Sequence, residues 1–414
     1  MYRGKLCAQL AVGAVLLLAT GSWAEFQVNT YTEHNQTHAA VAMNDAGEFV
    51  VAWRSHPVDG RGGGVYARPF DAGGTPLCDE FKVNSTPADV DNWTPAVAMG
   101  PSGDFVVVWV APGENGTDVM ARLFDRQGLT LTDEFRVCDL TPGVTQSTPS
   151  ISASPDGNFV IVWVSRQADC ITGKCYVMGR LFGPDAMPLG DDFLVNEYPE
   201  DQDCPLGCWC AQGCWPDVGM DESGRFVVAW IRMGNTWNRP YGETIMFRRY
   251  EADAAPADAV TCVTGDLNSR WYGPSVAVDR SGDFAIVWAS GPFPYDIVAQ
   301  HFDPNGAATA EPYMVNTTME GNQGHPKVAS NGHGEYLMVW DSQDYDGNCC
   351  GVCRQRCGVG PVLLSNEETV NTYVVGRQWY PDVAMAADGA CVVVWISEDQ
   401  DGSGYGVFAE IAPQ

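Results

Sequence analysis

The residues of this 414-residue chain that could do chemistry are rings, amides and carboxylates placed just ahead of short Pro-x-Val-Ala-like runs. Trp93 precedes one run, Trp215 another, Trp271 with Tyr272 a third, and Trp379 with Tyr380 a fourth. His38 and His325 hold the place of Tyr380 ahead of their own runs. Gln36, Asn92, Gln146, Gln323 and Gln378 stand close by. Flat rings beside amides and carboxylates suit a sugar, whose ring face stacks and whose hydroxyls take hydrogen bonds. The alternative at this point is packing, because Trp and Tyr are well buried on average.

Two loops carry Asp-x-Asp-Gly, with Asp344 and Asp346 in one and Asp399 and Asp401 in the other. Closely spaced carboxylates with a Gly turn can wrap calcium. Neither loop continues to the bidentate Glu of an EF-hand, and Asp-Gly is also ordinary hairpin chemistry. Cysteines cluster three times: Cys170 with Cys175; Cys204, Cys208, Cys210 and Cys214; and Cys349, Cys350, Cys353 and Cys357. Only Cys350 and Cys353 form a C-x-x-C, too little for a four-thiolate zinc site. These ten are therefore disulfide candidates.

No G-x-S-x-G, H-E-x-x-H or phosphate-binding loop is present. Asp and Glu together number 52, so a glycosidase-like pair is available but nothing singles it out.

The elements that must position these residues come from a repeat. Phe105-Val106-Val107-Val108-Trp109 recurs, varied, ending at Trp53, Trp109, Trp163, Trp230, Trp288, Trp340 and Trp395, at spacings of 56, 54, 67, 58, 52 and 55 residues. Each copy sits in the same frame: a run such as Pro95-Ala96-Val97-Ala98 before it, one such as Val65-Tyr66-Ala67-Arg68 after it, and one such as Phe81-Lys82-Val83-Asn84 at the end. Short β-branched and aromatic runs bounded by Gly, Asp, Asn or Pro read as strands. The central run is apolar on both alternating faces, as in a sheet covered on both sides. Seven units of four strands predict an all-β, seven-bladed β-propeller of antiparallel blades.

The ends complement each other. Glu25 to Asn29 reads as a fourth strand with no blade before it, and Gly406 to Ala412 as a third strand with nothing after it. The N-terminal strand is therefore expected to close the ring, making 25–414 one domain. Residues 1–24 read as a secretory signal: Arg3 and Lys5, then the apolar stretch Leu6 to Ala19, then Ser22-Trp23-Ala24. This implies a secreted, periplasmic or cell-surface protein with no transmembrane segment in the mature chain. Lys and Arg number 23 against the 52 acids, a formal charge of −29. Such a surface repels nucleic acid and anionic membranes. With Cys7 removed, 14 cysteines remain.

The combination of Phe-x-Val-Asn, Pro-x-Val-Ala, Gly-x-Phe-Val-Val-Val-Trp, Asp-Gly-x-Gly-x-Gly-Val-Tyr and Ala-x-x-Phe-Asp resembles the tandem repeats of secreted bacterial propeller proteins, some adhesin-like. It covers nearly all of 25–414 and implies architecture rather than activity. The expectation is a non-catalytic binding module for an extracellular glycan or protein. The alternative is a propeller-type polysaccharide hydrolase or lyase using carboxylates and a His at the channel mouth. Trp93, Trp215, Trp271, Tyr272, Trp379, Tyr380, His38 and His325 are the expected ligand contacts. No cofactor is expected, calcium at the two Asp loops excepted.

Overall fold

The computed structural model describes residues 24–56, 63–85, 92–113, 116–139, 143–167, 175–196, 214–232, 244–263, 272–291, 293–343 and 350–412. Among the expected site residues, Trp271, Asp344, Asp346, Cys170, Cys204, Cys208, Cys210 and Cys349 lie outside the described residues.

The chain is a seven-bladed β-propeller of four-stranded antiparallel sheets. Blades one to six span 36–82, 93–136, 144–194, 217–262, 275–314 and 323–369, each with its strands in chain order from the axis outward. Blade seven combines 378–412 with Ala24–Gln27, which pairs with the third strand in the register Phe26 to Ala409. The N-terminal strand thus closes the ring. No helix occurs among the described residues, so none there is long and apolar enough to cross a membrane.

The core is seven cores, one between each pair of neighbouring blades. The repeat explains this directly. In strand two, alternate side chains point to opposite faces. Phe105, Val107 and Trp109 face blade one, while Val106 and Val108 face blade three. Every residue from Phe105 to Val110 is buried, which an open sheet would not allow.

Two further motif residues join the blades. The Asn of Phe-x-Val-Asn turns its Oδ1 back to accept an amide near the start of strand three: Val65 N to Asn84 at 2.8 Å, and Val177 N to Asn196 and Val407 N to Asn29 at 2.7 Å. The Arg of strand three donates to a carbonyl in the outer strand of the preceding blade. Arg68 reaches Val28 O at 3.0 Å, Arg122 Val83 O at 3.1 Å and Arg180 Val137 O at 3.0 Å.

Candidate functional site

Strand one of each blade lines the central channel, and its entrance has one unusual residue. The pairing of strands one and two slips between Thr37 and Ala40, Trp93 and Ala96, Ser147 and Ser150, Gly324 and Lys327, and Trp379 and Asp382. A bulge of this kind re-aims a side chain. At it, His38 (φ 53°), Thr94 (48°), Thr148 (47°), His325 (45°) and Tyr380 (52°) are left-handed, as is Trp215 (36°) at the same place in blade four. Such backbone costs about 1–3 kcal/mol per residue and needs the surrounding structure to hold it. Blade five has Gly273 instead; a Cβ there would stand 2.7 Å from that of Trp215.

These residues open onto a cavity of about 670 Å³ along the axis, lined by strand one of all seven blades. Its upper rim carries His38, Thr94, Thr148, Trp215, Tyr272, His325 and Tyr380. Two residues deeper lies the variable position of Pro-x-Val-Ala. It is Ala40, Ala96, Ser150, Asp217, Ser275, Lys327 and Asp382 in blades one to seven. Asp217 and Asp382 are the carboxylates that line the cavity among the described residues.

The deeper ring is hydrogen-bonded from blade to blade. Val276 N donates to Asp217 Oδ2 at 3.0 Å, Val41 N to Asp382 Oδ2 at 3.0 Å and Val328 N to Ser275 Oγ at 3.3 Å. Ser150 Oγ also donates to Asp217 Oδ1, at 2.7 Å. The Lys327 ammonium makes no hydrogen bond among the described residues. Burial alone would lower its pKa; the Asp217 and Asp382 carboxylates outweigh burial and hold it above the usual lysine value. Burial raises the Asp382 carboxyl above the usual range, against the pull of Lys327 and the backbone amides. The floor therefore offers a cationic donor and carboxylate acceptors together.

The two rim histidines differ in their neighbours. His325 Nδ1 lies 2.6 Å from Asp341 Oδ2, and that oxygen also accepts the Tyr380 amide at 3.2 Å. The His325 ring sits between Tyr380, 4.0 Å away, and Tyr272, 4.6 Å away between centroids. Asn322 donates to the Tyr272 hydroxyl at 3.2 Å. His38 stands on the other side of Tyr380, stacked at 6.2 Å, with its Nδ1 3.1 Å from Thr37 Oγ1. Its pKa is pushed down by burial among rim groups, then by Arg54, His56 and His325.

Below, the axis is crossed. Arg280 of blade five reaches Asp45 of blade one at 2.5 Å and Glu222 of blade four at 2.9 Å. A separate hollow of about 200 Å³ surrounds this bridge.

The expected contacts divide. His38, Trp215, Tyr272, His325 and Tyr380 line the cavity; Trp93 and Trp379 do not. Trp93 pairs with Val110 in the sheet. Trp379 backs Tyr380 at 4.8 Å and packs against the core between blades seven and one. The amides read as sugar contacts are structural, being almost wholly buried. Gln323 Oε1 accepts the Trp340 indole N–H at 3.0 Å while its Nε2 holds Glu320 O at 3.1 Å, and Gln36 and Gln378 hold Glu33 O and Val375 O at 3.0 Å. Asp217, Lys327, Asp382 and Asp341 escaped the sequence reading.

Asp399 and Asp401 serve their own turn: Asp399 Oδ1 accepts Gly404 N at 3.0 Å and Asp401 Oδ1 accepts Ser403 N at 3.2 Å. No three His, Cys, Asp or Glu side chains gather as a metal site among the described residues. Cys350, Cys353 and Cys357 share one extended strand. Neighbours three and four apart in a strand are about 10 and 13 Å apart, beyond the ~7 Å limit for a disulfide. These three therefore cannot bond one another. Cys175 and Cys214, from blades three and four, do meet, the Cys214 sulfur lying 4.0 Å from the Cys175 carbonyl.

No family model matches the chain. Over 185 residues it is 25% identical to a probable ribonuclease FAU-1 of Natronomonas pharaonis, covering 42% of this chain and 35% of that one. The chain thus spans about a third of that relative's length. Among solved structures it is similar to a protein of unknown function from Dyadobacter fermentans, at 12% identity, 94% and 97% coverage and a TM-score of 0.54. The β-propeller domain of the trilobed protease of Pyrococcus furiosus follows at 8% identity, 92% and 94% coverage and 0.50. The α-L-arabinofuranosidase of Fusarium graminearum gives 10%, 94% and 97%, and 0.48. Identities this low establish a shared fold and nothing about activity.

Proposed function

We propose that the protein is an extracellular glycan-recognition propeller that takes the end of a neutral, hydroxyl-rich saccharide into the upper mouth of its channel. One observation carries this reading: Trp215, Tyr272 and Tyr380 ring a cavity whose floor presents Asp217, Lys327 and Asp382. Rings at a rim suit the apolar face of a sugar, and mixed donors and acceptors below suit its hydroxyls. A net charge of −29 works against an anionic polymer, so a neutral ligand fits better.

The test is a neutral-glycan array on the mature chain, followed by calorimetry with the best binder. Tyr380→Ala removes a ring that is 38% exposed at the mouth. It should weaken binding by about 1 kcal/mol or more, as loss of an aromatic anchor does. Asp382→Ala should weaken it as well, by loss of a hydrogen-bonding carboxyl group on the floor. An array with no binder, or a Tyr380→Ala variant with parental affinity, would end the reading.

A further inference from the structure

The binding reading leaves His325 and Asp341 unexplained. A buried carboxylate at this place is not needed for the fold. The residue following the repeat Trp is apolar in five blades: Val110, Val164, Ile231, Ala289 and Ile396. Four of these are fully enclosed at 0%, and Ile396 reaches only 2%. Blade six puts Asp341 there, 5% exposed, and pairs it with the one residue whose side chain can use it at the rim. Asp341 accepts from His325 and from the Tyr380 amide through the same oxygen, so both the carboxylate and the imidazole are fixed. With Nδ1 spent on Asp341, Nε2 makes no protein hydrogen bond among the described residues, and the side chain lines the cavity. A carboxylate on one ring nitrogen and an open cavity for the other is the arrangement of a positioned proton acceptor.

The cavity holds a second group for the opposite proton transfer. Asp382 is two residues beyond Tyr380, which touches His325, and it faces the same space from the next blade. Its Oδ2 takes the Val41 amide, and the carboxyl faces the cavity. Burial favours its protonated form.

We propose that the cavity hydrolyses the terminal glycosidic bond of a neutral saccharide, with His325 as the general base, Asp341 as its positioning residue and Asp382 as the general acid. The inference rests on the glycan reading above. Protonated Asp382 gives its proton to the glycosidic oxygen as the bond from C1 to that oxygen breaks. A water oxygen bonds to C1 from the opposite side, and His325 Nε2 takes the water's proton. The products are a free sugar, inverted at C1, and an alcohol; the proton on His325 returns to Asp382 through solvent. No other reactant is needed.

The experiment uses the mature chain with a panel of 4-nitrophenyl glycosides of neutral pyranoses and furanoses, with calorimetry on the matching free sugars. Turnover of at least one glycoside is expected, with an inverted first product by proton NMR. His325→Gln should lower kcat at least 100-fold, the usual scale of acid–base catalysis, with KM within a few-fold. Asp341→Asn should lower kcat in the same direction. In the parent, nitrogen NMR should place the neutral-ring proton of His325 on Nδ1, and Asp341→Asn should shift that tautomer balance while leaving KM within a few-fold, which a loss of folding would not do. Sugar binding without turnover, a retained product, a His325→Gln variant as fast as the parent, or the proton on Nε2 would each overturn the inference and leave the binding reading standing. Neither binding nor turnover would remove both.

Discussion

His38 and His325 hold the same place on neighbouring sides of Tyr380, yet they cannot do the same work. The residue facing the rim from strand two is Arg54 in blade one and Asp341 in blade six. Thr37 pairs with Arg54, and Gly324 with Asp341. A cation disfavours a protonated ring; a carboxylate holds one nitrogen's proton in place. The histidines were legible in the sequence because they precede a repeated run. Their partners were not, although a signal existed: aligned on the repeat Trp, two blades carry a charge where five carry Val, Ile or Ala. Its meaning needed the cross-strand register. A third histidine gives a test of a different kind. His301 is 1% exposed, stacked on Tyr313 with Nε2 2.9 Å from its hydroxyl. Burial lowers it from 6.5 to about 4, against a small opposing effect of Asp283. The unfolded chain therefore binds the proton more readily than the native one. Its contribution to stability is complete above pH 6.5 and is lost as the pH falls towards 4, by about 3 kcal/mol. Urea midpoints for the parent and for His301→Gln should converge on acidification, the parent losing more; parallel curves would show that His301 does not titrate this way.

The strands themselves were the most readable level, since each motif letter has a mechanical cause. Phe and Trp alternate towards one neighbour and Val towards the other, so Trp109→Ala should leave a cavity and cost about 3–5 kcal/mol in denaturant unfolding. The Asn of Phe-x-Val-Asn was visible as a motif, but its role was not, because a side chain that returns to a strand 19 residues away leaves no periodic trace. Asn84→Ala should strand the Val65 amide inside the blade and cost about 1–3 kcal/mol. Blade two offers the reverse experiment. Cys138 stands where the Asn would be, its sulfur against the Val119 amide and its thiol pushed up to about 11 by burial. Cys138→Asn should restore the stronger acceptor and raise stability by about 0.5–1.5 kcal/mol, read as a higher urea midpoint. The amides misread as sugar contacts teach the same lesson. Gln36 and Gln378 sit beside the rim at the start of strand one but turn their amides onto the inlet loops at Glu33 and Val375, and proximity in sequence does not tell facing in from facing out.

At the scale of the ring, seven similar units leave one seam, and Ala24–Gln27 fills it. Removing that strand would expose the edge of the third strand of blade seven, with Glu410 and Ala409 among the residues left unpaired. A chain lacking residues 24–29 should melt well below the parent and aggregate sooner on heating; equal melting temperatures would refute the role of the seam. Closure, blade number and strand order were all legible, because repeats announce themselves. The cross-axis bridge was not, since Arg280 and Asp45 lie 235 residues apart and no repeat position foretells their meeting. That bridge sets an ion-paired bar across the lower end of the axis, tying Arg280 to Asp45 and Glu222. For the saccharide proposed above, a chain end offered at the Tyr380 rim would meet that bar and leave by the way it came.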